Sequence, residues 1–131
     1  MKLNFLGIRR DPRFSPSHVQ NDGEIFRLTA EALRQRDFVV VEKEEKEVGS
    51  FSLEAPAVFT MSRSVEAFSR LLVHEQRGKQ IINSPTGVLN CYRFNMVSLL
   101  PQAGIPFPRG LIVQTENGQV LPGFLRDSNH V

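Results

Sequence analysis

Short apolar runs alternate along this chain with stretches whose apolar positions recur every three or four residues. "KLNFLGI", residues 2 to 8, reads as a buried first strand ended by Gly7 and the charged "RRDP". Pro12 and Pro16 then rule out a regular helix through the next dozen residues. Asn21 offers a helix cap with Glu24 three residues on, a capping box. The helix it opens turns Ile25, Leu28, Ala32 and Leu33 inward and Glu31, Arg34 and Gln35 outward. Phe38 to Val41 is the continuous β-branched and aromatic run of a parallel strand. Residues 57 to 61 give a third strand, and Ser62 and Ser64 can both cap the helix after it. That helix carries Val65, Phe68, Leu71 and Leu72 on its apolar side and stops at Gly78. "KQIIN" is a fourth strand; Ser84 then caps a short helix with Pro85 at its first position, running to about Cys91. Phe94, Val97 and Leu100, with Met96 and Leu99, make one more helical face, bent late by Pro101 and closed by Gly104. "RGLIVQT" predicts a fifth strand, and Asn117-Gly118 a turn before "QVLPGFL".

This alternation predicts an α/β fold: a Rossmann-like three-layer domain with a mostly parallel four- to five-stranded sheet and helices on both faces. At 131 residues, one domain is expected. The hydrophobic fraction of 40% contains no run long enough for a membrane helix, and "LNFLGI" followed by "RRDPR" is no secretory signal, so a cytoplasmic protein without membrane partners is expected. Cys91, the single cysteine, can form no disulfide within the chain and reads as a buried small hydrophobe. The acids and lysines of residues 41 to 54 read as a solvated connection.

A net charge of +2 argues little by itself, but between Glu75 and Glu116 there is no acid, and the chain has twelve Arg against four Lys. Guanidinium groups fit carboxylate and phosphate geometry. Parallel sheets take ligands beyond the carboxyl ends of their strands. Three polar loops belong there. The first carries Arg9, Arg10, Arg13, Ser17, His18 and Asn21, the second Ser62 and Arg63, and the third Asn83 and Ser84 ahead of a helix amino terminus. An anionic ligand is therefore expected. No histidine has a partner at metal-ligand spacing, and the phosphate-loop, dinucleotide-binding and nucleophile-elbow patterns are absent. The first loop lacks the interleaved aromatics of a nucleic-acid surface, so no nucleic acid is expected.

The segment from "INSP" (Ile82 to Pro85) to "LLPQAGIPFP" (Leu99 to Pro108) resembles the junction between the substrate domain and the ATP-binding domains of ATP-grasp ligases, the superfamily of glutathione synthetase and D-alanine ligases. Arg93 stands where that family commonly has a lysine, Tyr92 where Asp is usual, and Asp37, in "LRQRDFVVVEKEE", where Gly is usual. The resemblance implies that residues 1–109 are the N-terminal, pre-ATP-grasp substrate domain and 110–131 the truncated start of an ATP-grasp subdomain. It places Arg93 on the nucleotide-phosphate side and the first-, second- and third-loop residues on the substrate side. The enzyme it implies activates a small carboxylate as an acylphosphate and joins it to an amine. ATP and Mg2+ would belong to the full-length protein and none to this fragment, whose partners would be the missing C-terminal domains and, as in many relatives, a second copy. On this reading the fragment has no catalytic residue of its own. The alternatives are a stand-alone anion-binding module and a domain that docks a partner through residues 94 to 108.

Overall fold

The computed structural model describes residues 4–110. Strands β1 (Asn4–Arg9), β2 (Val39–Glu44), β3 (Ala57–Thr60) and β4 (Gln80–Ile82) alternate with helices α1 (Val19–Arg34) and α2 (Val65–Gln76); α3 (Pro85–Asn90) and α4 (Arg93–Gln102) follow. The strands pair in parallel in the order β2-β1-β3-β4. The expected α/β sheet with helices on both faces is thus present with four strands. Most of the fifth, and the Asn117-Gly118 turn, lie outside the described residues.

Alternation along β1 and β3 builds two cores. Phe5, Ala57 and Phe59 meet Phe26 and Ala30 of α1 on one face. Leu6, Ile8 and Val58 meet Leu71 of α2, Ile81 and Leu53 on the other. Such a division follows from right-handed crossovers: β1 to β2 runs over one face, and both later crossovers run over the opposite one.

Four expectations about the sheet and its helices need correction. Gly7 does not end β1, which runs on to Arg9; a methyl group there would lie 2.5 Å from the Phe59 ring and 2.8 Å from that of Phe26. Helix α1 begins two residues before Asn21 and turns Phe26 and Ala30 inward, while Ile25 and Leu28 are exposed. Its core-facing side contains Ala30, a residue too small to register in a pattern of large hydrophobics. On α2, Phe68 and Leu71 are buried as expected but Val65 is exposed, because it is the first helical residue. Finally, residues 41 to 54 are no solvated connection: Glu45, Val48 and Leu53 are buried, and Arg70 of α2 donates to the Val48 and Phe51 carbonyls.

The chain divides into two compact units, Met1–Val88 and Leu89–Val131. The sheet and its two long helices form the first. In the second, Tyr92 leads into α4, and left-handed Gly104 (φ +71°) closes it, with the Ile105 amide donating to the Leu100 carbonyl at 3.0 Å. No residue of α4 is buried, and Phe94 stands 59% exposed, because the apolar positions 94, 96, 97, 99 and 100 wind around the helix instead of forming one stripe. Cys91 is exposed, so the buried-hydrophobe reading does not hold. Among the described residues no helix is long and apolar enough to cross a membrane.

Candidate functional site at the carboxyl edge of the sheet

From β1 the chain moves outward to β2, then returns to build β3 on the other side of β1. The crevice between the loops after β1 and β3 is therefore the topological switch point, where open parallel sheets hold ligands. Here it holds Glu45, which follows β2 directly and is 1% exposed. One carboxylate oxygen accepts from the Asp11 amide at 2.7 Å, and the other from the amides of Arg63 and Ser64 at 2.6 and 2.5 Å. Arg63 and Ser64 lead into α2, so the carboxylate meets the positive end of that helix. Ser64 caps α2, its hydroxyl accepting from the Ala67 amide at 3.2 Å.

The three first-loop arginines are all engaged by carboxylates of the chain itself. Arg9 bonds Glu42 and lies 4.5 Å over the Phe26 ring. Glu42 also accepts from Arg34 at 2.7 Å; burial raises its pKa, but the bonds from Arg34 and Arg9 prevail and hold it below the ordinary value. Arg10 reaches the Met61 carbonyl at 2.9 Å, Ser15 at 3.3 Å and Asp22 at 2.7 Å, tying the β1 loop to α1 and to the end of β3. Arg13 clasps Asp11 through both Nε and Nη2. Hydrogen bonds from the Arg13 side chain and then its backbone amide lower the Asp11 carboxyl to about 2. Ser17, His18 and Asn21 are exposed and make no side-chain hydrogen bond among the described residues.

Beyond the crevice, at the ends of β3 and β4, the edge differs. Ser62 is buried, with Thr60 donating to its hydroxyl at 2.7 Å. Arg63 has no carboxylate partner among the described residues. On the neighbouring strand Asn83 adopts φ +61° and donates through Nδ2 to the Thr60 carbonyl at 2.8 Å, which joins the two loops. Ser84 accepts from the Gly87 amide at 3.1 Å and, with Thr86, bonds Glu75. Burial raises the Glu75 pKa, yet those bonds hold it below the ordinary range. Arg93 heads α4, in the second unit.

Of the residues expected to bind a ligand, the structure thus gathers Arg10, Ser62, Arg63, Asn83 and Ser84 along one edge; of the two arginines there, Arg10 is paired with Asp22 and Arg63 has no carboxylate partner among the described residues. Asp11, Asp22, Glu45 and Glu75, which set this arrangement, were not anticipated. Asp11 before Pro12 reads as turn punctuation, and nothing in the residue types around Glu45 distinguishes it from its solvated neighbours. Placing the end of β2 beside the β1 loop is the signal that finds it.

At the opposite edge His74, Arg77 and Lys79 line a shallow depression with Pro56 and Gln80. Burial first, then Lys79, Arg70 and Arg77, hold the His74 pKa below its ordinary value. No family model, curated protein or solved structure matches this chain.

Proposed function

We propose that the sheet unit is the substrate-side domain of an ATP-dependent ligase, one that joins a small carboxylate to an amine through an acylphosphate, and that it does not turn over alone. The observation that supports a substrate-side role is the rim at the ends of β3 and β4. There the loop after β3 carries Arg63, without a carboxylate partner among the described residues, and is joined to the Asn83–Ser84 turn through Asn83 and the Thr60 carbonyl, at the edge where parallel sheets take ligands. A guanidinium in that setting suits a carboxylate. The ligase chemistry itself rests on the resemblance of the Ile82 to Pro108 segment, and the second unit, with Arg93 at the head of α4, would face the nucleotide. ATP and Mg2+ would be held by domains outside this chain.

Calorimetric titration with Mg-ATP tests the division of labour. The proposal predicts no saturable binding at micromolar nucleotide and no ADP release with any acid added. Micromolar ATP affinity in the isolated chain overturns it. A stand-alone anion-binding module is the second reading, favoured by one fact: Arg63, Asn83 and Ser84 all belong to the sheet unit. That reading predicts that inorganic phosphate binds the rim as tightly as any carboxylate.

A further inference from the structure

The Glu45 carboxylate sits where a parallel sheet of this order takes its ligand, and its hydrogen bonds are those a bound anion would make. The donors come from two loops as well as from a helix terminus: Asp11 follows β1, and Arg63 and Ser64 follow β3. The acceptor comes from elsewhere, from a single 3-10 turn (Glu45–Glu47) beyond β2, and so is separable from the cradle that holds it. Each of the three cradle amides donates to the Glu45 carboxylate, so the cradle is saturated.

We propose that the switch-point crevice is a carboxylate-binding site which the chain fills with its own Glu45, an internal ligand that closes the site to external anions and fastens the β1 loop to the β3 loop. The inference does not depend on the ligase reading. It implies that an external carboxylate or phosphate is excluded from the crevice in the wild-type chain and must use the outer rim instead. It also implies that truncating Glu45 creates a receptor. Glu45→Ala removes the carboxylate and the methylene next to it, which is the heavy-atom skeleton of acetate.

Thermal unfolding of Glu45→Ala in sodium acetate, against sodium chloride at equal ionic strength, tests this. The expected result is a lowered midpoint that acetate raises along a saturating curve and chloride does not, while the wild-type midpoint is the same in both salts. An equal response of the variant to both salts overturns the proposal, as does a saturating acetate response in the wild type. Should Glu45→Ala remain unfolded at every acetate concentration, Glu45→Gln decides. It keeps the side-chain shape but presents one carbonyl oxygen to three donors. Amide hydrogen exchange at Asp11, or at Arg63 and Ser64, should then accelerate roughly ten- to a hundredfold. Unchanged exchange at all three amides shows that the carboxylate is not what holds them.

Discussion

Gly7 is confined by two aromatic rings. The Phe26 and Phe59 centroids lie 5.0 Å apart, and the space a methyl group would need at Gly7 is already theirs. Gly7→Ala should cost about 1–3 kcal/mol by overpacking, measured by urea unfolding. Asp11 makes a pH-dependent contribution. Arg13 lowers its carboxyl from 3.8 to about 2, so the folded state binds this proton less tightly than the unfolded chain. Its stabilisation is complete above 3.8 and is lost as pH falls toward about 2. The stability difference between the wild type and Asp11→Asn should therefore close across that window, as followed by urea midpoints. A difference that persists at the acid end would show that the clasp is not electrostatic. Neither residue reveals its role by type: Gly7 reads as a terminator until two rings are known to cross it, and Asp11 as a turn until its guanidinium partner is placed.

At the scale of elements, strands were easier to read from the chain than helix faces were. Short continuous runs rich in β-branched and aromatic residues, such as Val39 to Val41 and Ala57 to Thr60, identify strands without knowledge of what covers them. A helix face depends on how closely its neighbour approaches. On α1 Phe26 and Ala30 pack inward because Gly7 allows the helix near the sheet, which leaves Ile25 and Leu28 outside. Caps show the same contrast. Ser64 accepts from the Ala67 amide, so Ser64→Ala should cost about 1 kcal/mol. Asn21 lies inside the first turn of α1, so Asn21→Ala should leave the urea midpoint unchanged. A loss at Asn21 equal to that at Ser64 would put the start of α1 where the capping-box reading placed it.

On the scale of the whole molecule, strand order decides which polar loops matter. The alternation of elements along the chain predicts a parallel sheet, but three loops rich in arginine, serine and asparagine look alike as sequence. Folding separates them: carboxylates of the chain engage Arg9, Arg10 and Arg13, Glu45 fills the crevice beside them, and Arg63, on the loop that Asn83 joins to the β4 turn, has no carboxylate partner among the described residues. The most direct test is an amide- and guanidinium-detected NMR titration of the wild type with succinate and with inorganic phosphate. The account predicts saturable shifts at the Arg63 side chain, Asn83 and Ser84, none at the Asp11 amide, and at least about tenfold weaker binding in Arg63→Ala. Shifts gathered instead at His74, Arg77 and Lys79 on the opposite edge, or undiminished binding in Arg63→Ala, would contradict it.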